Sequence, residues 1–350
     1  MIQSQLSASS PTQDQLAAAA SVSRSTVSRA LKHHPSIAPA TRERIARLAR
    51  EMGYQQNPYV TANMQRVRGI HHAPPRATIA FLTPYPLETW SREVLSYRKI
   101  YDGARQQAFE LGFELDPISL VDKGITNKRC NDILVARGVD GVLIAPFENP
   151  FVRIRLDWPR FSVATLGFMH VSPRFSCAAS NHYHNMSLLL RRLRRLGYRR
   201  VGLAIPGRAN RYAAGTFQAA WLLHAQKRVA GPPLPPFVPT WLSDWNRRGF
   251  LAWFRQHRPD AIVCLTHDVL DWLASERVDT PGDVGLACLS HHPHETYWSG
   301  IEQHTEFVGA AGARIIAEQL TLNQRGVPIY PRTLFIEGEW VDGGTTRQMR

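Results

Sequence analysis

From residue 77 onward, short apolar segments alternate with amphipathic ones, and this alternation constrains the fold more than any other feature. The segments with strand character are 78–83, 139–145, 161–166, 200–205, 261–265 and 284–289. The segments with helical periodicity are 97–111, 127–137, 183–196, 212–228, 245–257 and 308–325. Short strands separated by helices of this length favour parallel βαβ units. Two such series meet around residues 166–180, so the sequence predicts a two-lobed α/β domain over residues 77–345.

The residues before this domain differ in charge. Residues 1–70 contain nine Lys and Arg residues against three acids, in a chain whose formal net charge is +14. Such a balance favours a polyanionic partner, either nucleic acid or an anionic membrane surface. Residues 1–11 are rich in Ser and Gln and are expected to be a disordered tail. An all-α domain is expected over residues 12–56, followed by a hinge and linker over residues 57–76.

Three short helices are expected in the basic segment, at about 12–20, 24–33 and 39–52. Thr12 and Ser23 are suited to N-cap positions, and Pro39 fits the first turn of the third helix. Gly53 is suited to end that helix.

Small and apolar residues between Leu16 and Leu31 are spaced for two helices that cross closely. One face of the first helix carries Leu16, Ala17 and Ala20, and one face of the second carries Val27, Ala30 and Leu31. Val22 lies in the turn. This pattern predicts a helix-turn-helix. A basic amphipathic helix with a merely solvated face is the alternative, and the alanine spacing and the Ser-Val-Ser turn favour the helix-turn-helix.

The opposite face of the second helix carries Arg24, Ser25, Ser28 and Arg29. Arginine can read a guanine edge with two hydrogen bonds, and hydroxyl groups and a helix N-terminus can hold phosphates. The sequence therefore predicts that this helix enters a DNA major groove.

These motifs resemble the lactose-repressor (LacI/GalR) family of bacterial transcription regulators. The resemblance is carried by residues 16–17, 20, 22–23 and 26–29, by the TRERI helix at 41–45, and by GYQQNP at 53–58. It implies a DNA-binding domain, a hinge that becomes helical on DNA, and an effector domain like a periplasmic sugar-binding protein. It also implies a cytoplasmic homodimer that binds a pseudo-palindromic double-stranded operator and acts as a repressor controlled by a sugar or sugar derivative.

The resemblance also implies which residues contact DNA. Arg24 and Ser25 match the family's base-reading positions. The rest of the implied helix-turn-helix set is Ser23, Thr26, Ser28, Arg29 and Lys32. The implied hinge set is Asn57, Pro58, Thr61, Asn63 and Met64. Where the family wedges a leucine into the minor groove, this chain has Asn63 with Met64 beside it. It also has Ser21 in place of a turn glycine and Ala38 in place of a capping serine.

Landmarks of the family's effector domain recur at residues 197–202, 281–284, 326–328 and 340–345, the last two as C-terminal strands. Ligands in such folds bind at the carboxyl ends of strands, where Asp268 is the expected acceptor for a sugar hydroxyl. The implied effector-binding set is Arg211, Tyr212, His267, Asp268, His291, Trp298 and Gln303. Asn181, Tyr212 and 290–292 depart from the family's usual residues, so an unusual ligand or no ligand remains an alternative.

Other function classes lack support in the sequence. No phosphate-binding loop, nucleophile elbow or convincing carboxylate pair is recognised, so neither an enzyme nor a cofactor is expected. His291, His292 and His294 match no standard zinc spacing. The four cysteines are expected to be reduced thiols, and no apolar run suits a membrane helix. Trp241, Trp245 and Trp253 are expected to pack internally. A sugar-binding receptor or sugar-modifying enzyme on the same fold remains the rival class, although no export signal is recognised.

Overall fold

The computed structural model describes residues 13–31, 37–52, 54, 77–86, 95–147, 154–167, 172–226, 234–292 and 294–349. The chain forms two compact units. The first comprises residues 1–76 and 318–325, and the second comprises residues 77–317 and 326–350.

Three helices make up the described part of the first unit up to residue 54. They are α1 (Gln13–Ala20), α2 (Arg24–Leu31) and α3 (Pro39–Glu51). Their core consists of Leu16, Ala17, Ala20, Val27, Ala30, Ile45 and Ala49. The predicted inward faces of α1 and α2 are therefore confirmed. Pro39 lies in the first turn of α3 as predicted, and Ala38 gives that helix no side-chain cap.

The turn between α1 and α2 contains a left-handed residue. Ser21 has φ of 50°. The Val22 amide donates to the Ala17 carbonyl and the Ser21 amide donates to the Ala18 carbonyl, both at 3.1 Å. This is the Schellman arrangement that glycine usually occupies. The serine therefore holds a conformation that costs an L-residue about 1–2 kcal/mol.

Replacing Ser21 by Gly is expected to stabilise the first unit by about 0.5–1 kcal/mol, because glycine removes the left-handed strain but gains freedom in the unfolded chain. Hydrogen–deuterium exchange of α1 and α2 amides should then slow by roughly two- to fivefold. Ala19→Gly, at an exposed helical position of α1, is the control and should speed exchange. Faster exchange in the Ser21→Gly protein would contradict this account of the turn.

The second unit contains two parallel sheets. The first lobe holds a six-stranded sheet in the order β10-β5-β4-β3-β1-β2. Its strands are β1 (Ala77–Thr83), β2 (Phe113–Ser119), β3 (Gly141–Ile144), β4 (Ser162–Leu166), β5 (Ser176–Ser180) and β10 (Thr333–Ile336). All neighbours in this sheet pair in parallel. The helices α4 (Leu95–Leu111) and α5 (Asn127–Ala136) follow β1 and β2.

The second lobe holds a five-stranded sheet in the order β11-β9-β8-β7-β6, in which only the β11–β9 pair is antiparallel. Its strands are β6 (Val201–Leu203), β7 (Ala261–Cys264), β8 (Gly285–Cys288), β9 (Gly300–Glu302) and β11 (Glu339–Val341). The helices before and between these strands are α6 (His182–Arg195), α7 (Gly207–Tyr212), α8 (Thr216–Gln226), α9 (Arg247–His257) and α10 (Asp268–Ala274).

The chain crosses between the lobes three times. It enters the second lobe after β5, returns to the first through α11 (Thr305–Thr321), and leaves again between β10 and β11. Two crossings are tied together, because the Asn181 amide donates to Glu337 at 3.5 Å and the Gly338 amide donates to Asn185 at 2.8 Å. Adjacent crossing segments of this kind allow two lobes to move about a shared hinge.

Several sequence-based element assignments are wrong or incomplete. β2 and β5 were not expected, because β2 is an edge strand that contains Pro117 and β5 is built from small residues. The segment expected as one helix over 212–228 is two helices, separated by Ala214 and Gly215 at positive φ. Residues 326–328 are not a strand, and β10 lies further on. α10 was missed because it is only seven residues long.

Candidate nucleic-acid interface and ligand cleft

The outer face of α2 presents polar side chains at its N-terminal end. Arg24, Ser25 and Arg29 are exposed, whereas Val27 and Ala30 face the core. The Ser23 hydroxyl accepts from the Thr26 amide at 3.2 Å, which confirms Ser23 as the predicted cap. It also hydrogen-bonds the hydroxyls of Ser25 and Thr26 at 2.8 and 2.9 Å. The start of α2 therefore combines a helix N-terminus, a hydroxyl cluster and two exposed arginines.

Arg24 has a partner that the sequence reading did not foresee. Its guanidinium lies 3.5 Å from the Asp14 carboxylate on α1, and both side chains are 67% exposed. An ion pair with this exposure contributes little to stability. Arg24 can therefore exchange Asp14 for a base edge without a large penalty.

The other sequence-predicted DNA contacts lie outside the described residues. These are Lys32, Asn57, Pro58, Thr61, Asn63 and Met64, together with the expected helix stop at Gly53 and the expected cap at Thr12. They remain predictions.

Two buried polar side chains follow neighbouring strands of the second lobe at their carboxyl ends. Thr266 follows β7 and His291 follows β8. His291 is 3% exposed, and its backbone amide donates to Ile301. Within the described part of the chain, neither ring nitrogen of His291 nor the Thr266 hydroxyl has a hydrogen-bond partner. Burying such groups unpaired costs roughly 1–3 kcal/mol each, so they indicate a place where a ligand or water binds.

His267, Asp268 and Trp298 lie at the same end of the sheet. The His267 ring stacks on the buried Trp298 ring with centroids 4.6 Å apart, and its Nε2 lies 3.4 Å from the Glu295 carboxylate. Asp268 accepts a hydrogen bond from the Trp245 indole at 3.2 Å and is exposed. An aromatic face beside acceptor oxygens is suited to bind a polyhydroxylated molecule.

The remaining predicted cleft residues are held by the protein itself. Arg211 donates to the Thr240 carbonyl at 2.9 Å, and Gln303 donates to the Leu289 carbonyl at 2.6 Å. The Tyr212 hydroxyl lies 3.2 Å from that of Tyr97, which belongs to the first lobe. Tyr97 also donates to the Pro146 carbonyl, and burial raises the pKa of its hydroxyl. Tyr212 therefore bridges the lobes.

Sequence reasoning missed Tyr97 and its neighbour Tyr85, whose rings meet edge to face with centroids 4.8 Å apart. Tyr97 lies in a helix where its spacing reads as core, so no local signal distinguishes it. Trp253 and Trp245 pack against the second lobe's core as expected, but Trp241 is exposed, so its expected packing is wrong.

The predicted set of histidines does not gather into one cluster with carboxylate ligands. His292 and His294 stack with ring centroids 5.8 Å apart. A different trio, Glu302, His304 and Glu339, places its ligand atoms within 4.8 Å of one another. The Lys99 ammonium lies 3.3 Å from Glu302, so this trio is already part of an ion-pair cluster that joins the two lobes.

Two family models match the chain. Residues 13–57 match the lacI family of bacterial regulatory proteins, and residues 190–346 match the periplasmic binding protein-like domain. Together the matches cover more than half of the chain. The chain belongs to the lacI family of bacterial regulatory proteins and is a DNA-binding transcription regulator with a periplasmic-binding-protein-like domain. No curated protein sequence matches the chain.

Solved structures have the same fold. The transcriptional regulator CelR in complex with cellobiose is 20% identical, with a TM-score of 0.57, and the match covers 96% of this chain and 99% of that one. The lac repressor dimer bound to operator and the anti-inducer ONPF is 16% identical, with a TM-score of 0.56 and the same coverage. The trehalose repressor from Escherichia coli is 16% identical, with a TM-score of 0.57, covering 76% of this chain and all of that one. Among the described residues, no helix is long and apolar enough to cross a membrane.

Proposed function

We propose that this regulator is a homodimeric, cytoplasmic repressor that releases a pseudo-palindromic operator when a sugar or sugar derivative binds between its lobes. We assign residues 12–56 to operator binding, 57–76 to the hinge, and 77–345 to effector binding and dimerisation. The observation that carries the ligand half of the proposal is the pair of buried, unpartnered side chains of Thr266 and His291.

The DNA half of the proposal is supported by the start of α2. Two dimer-related α2 helices would each insert Arg24 and Ser25 into a major groove, one helical turn apart. Ser23, Thr26, Ser28 and Arg29 would hold the phosphate backbone, with Lys32 beside them. The hinge residues Asn57, Pro58, Thr61, Asn63 and Met64 would order over the central minor groove.

The effector half of the proposal is supported by side-chain chemistry. A sugar ring would stack on the Trp298–His267 face and donate a hydroxyl to Asp268. Its other hydroxyls would satisfy Thr266 and His291. Arg211, Tyr212 and Gln303 would act indirectly, since each is held by another protein group. Ligand binding would shift the Tyr97–Tyr212 contact between the lobes and change operator affinity by a coupling free energy of about 1–3 kcal/mol.

A thermal-shift screen of mono- and disaccharides tests this effector class directly. A sugar that binds the native state must raise the melting temperature. We expect His291→Phe, which fills the buried position without hydrogen bonds, to abolish that shift, and Trp241→Phe, at an exposed position, to retain it. A sugar response that survives unchanged in His291→Phe would contradict this site. No response to any sugar would favour a regulator that acts without a sugar effector.

The surface that would carry the dimer contact is the apolar segment before and within β10. Ile329 is 70% exposed and Tyr330 is 86% exposed, and Leu334 and Phe335 in the edge strand are also exposed. An exposed apolar segment on a sheet edge favours association unless it is covered. A second copy of the chain would cover it.

We expect the double variant Ile329→Glu and Tyr330→Glu to shift the protein from dimer to monomer, because two buried apolar side chains would become charges. Sedimentation velocity measures the change. Val121→Glu, at another exposed apolar residue, is the control and should remain dimeric. A dimer that is unaffected by the double change would place the contact on another surface.

The rival class is a sugar receptor or sugar-modifying enzyme built on the same two-lobed fold. The lacI-family match at residues 13–57 argues against both. Product formation from a bound sugar would favour the enzyme, whereas an operator complex that responds to the unaltered sugar would favour the repressor.

A further inference from the structure

Two thiols face each other at the carboxyl end of the second lobe's sheet. Cys264 ends β7, Cys288 ends β8, and the two residues are direct partners in the parallel register. Both are buried and reduced. Neighbouring strands place paired Cα atoms about 4.8 Å apart, which lies within the roughly 4.4–6.8 Å range that a disulfide spans. The backbone therefore permits a direct bond between these two sulfurs.

The Cys288 sulfur is surrounded by groups that stabilise its anion. The Ser290 amide donates to it at 3.4 Å. The hydrogen bond from the Cys264 thiol, with help from His267, lowers the pKa of Cys288 to about 6, and the same pairing raises the pKa of Cys264. The hydrogen bond with Cys288 raises the pKa of His267. Cys288 is thus the nucleophilic thiolate of the pair, and Cys264 is the thiol that can resolve it.

His267 connects this buried pair to the cleft. Its side chain is 45% exposed, contacts Cys288, and lies 3.4 Å from Glu295 on its other ring nitrogen. The carboxylate orients the imidazole and stabilises its protonated form. A rotation of the His267 side chain is the shortest way for a small reagent to reach Cys288.

We propose that Cys264 and Cys288 form a peroxide-oxidisable thiol pair in which Cys288 attacks, Cys264 resolves and His267 supplies the proton. The Cys288 thiolate attacks the outer oxygen of a hydroperoxide, so that an S–O bond forms and the O–O bond breaks. His267 gives its proton to the departing alkoxide or hydroxide. The Cys264 thiol then attacks the Cys288 sulfenic acid, and the S–O bond is replaced by an S–S bond as water leaves. Overall, two thiols and one hydroperoxide give a disulfide, an alcohol or water, and water.

The disulfide would join β7 to β8 directly below Thr266 and His291. It would also remove the anionic partner of His267, which stacks on Trp298. Oxidation would therefore alter the cleft wall independently of any sugar. The chemistry itself requires neither DNA nor an effector, so it stands apart from the function proposed above.

The test uses the full-length reduced protein. It is treated with a small excess of hydrogen peroxide at neutral pH, then denatured, alkylated and mapped by peptide mass spectrometry. We expect a Cys264–Cys288 crosslinked peptide, two hydrogens lighter than the reduced pair, that dithiothreitol reverses. Cys177→Ser removes a partly exposed thiol outside the pair and should crosslink like the wild type. Cys264→Ser should leave Cys288 as a sulfenic acid that a dimedone reagent traps.

His267→Asn separates activation from mere proximity. It should slow crosslinking at neutral pH by roughly tenfold or more, since the thiolate fraction of Cys288 falls, and the rate should recover as the pH is raised. A rate equal to that of wild type across the pH range would overturn the role of His267. Recovery of both cysteines fully alkylated after peroxide treatment, or oxidation confined to Cys130 and Cys177, would overturn the whole proposal.

Discussion

Replacing Arg24 by Ala is expected to weaken operator binding by about 1–3 kcal/mol per half-site, which is roughly 5- to 150-fold, and to remove base preference at one position. The structure gives the reason. Arg24 lies at the exposed start of α2, and its only printed ionic contact is a solvent-exposed pair with Asp14. Nothing in the protein would hold the arginine away from a guanine edge.

The measurement is fluorescence anisotropy with a duplex that the wild-type protein selects from a random pool, and with every single-base variant of it. Arg29→Ala is the matched comparison on the same helix. It should weaken binding to all duplexes alike and lower the salt dependence by about one unit of slope. Arg47→Ala on α3, where Arg47 lies 3.9 Å from Glu51, should have a small effect. If Arg24→Ala weakened all duplexes equally, Arg24 would be a phosphate contact and not a base reader.

Replacing Gly309 by Ala is expected to destabilise the α/β unit by about 3 kcal/mol or more, because the added methyl group meets backbone that cannot move aside. A Cβ at Gly309 would lie 1.8 Å from the Ile100 carbonyl oxygen and 2.9 Å from the Ala104 nitrogen. On the facing helix, a Cβ at Gly103 would lie 1.9 Å from the Glu306 carbonyl oxygen. The two glycines therefore let α4 and α11 approach each other at backbone distance.

Calorimetry of the purified protein measures this effect. The melting temperature of the α/β unit should fall by roughly 6–12 °C for such a loss in a domain of this size. Gly249→Ala is the control, since its Cβ would meet neighbours at an ordinary 3.4 Å within α9. It should be neutral or slightly stabilising. A melting temperature for Gly309→Ala within a degree of wild type would show that the two helices can separate at little cost.

The helix-turn-helix could be predicted almost completely from the sequence because its determinants are local. Leu16, Ala20 and Val27 are spaced by helical periodicity, and the Ser23 cap lies three residues from its acceptor amide. The left-handed Ser21 was also visible as a departure from glycine, although its φ was not. Short-range spacing and turn chemistry carry enough information for such a unit.

The cleft could be predicted only in part because it depends on long-range contacts. The expected acceptor Asp268 and the neighbouring His267 lie at the carboxyl ends of the strands, as the fold requires. Tyr97 meets Tyr212 across 115 positions of sequence, and Cys264 meets Cys288 only because β7 and β8 pair. Arg211 and Gln303 were expected to face a ligand, but the carbonyls that bind them become visible only in three dimensions. Periodicity assigns a side chain to a face and does not identify its partner.

The measurement that tests the central claim most directly is binding of the intact protein to the region upstream of its own gene, compared with a scrambled duplex of the same length, across a salt series. The account predicts a specific complex at least about a thousandfold tighter than the scrambled one, with affinity that falls steeply as salt rises. It also predicts that a sugar that raises the melting temperature releases the complex. Equal affinity for both duplexes at every salt concentration, or no complex at low salt, would contradict it.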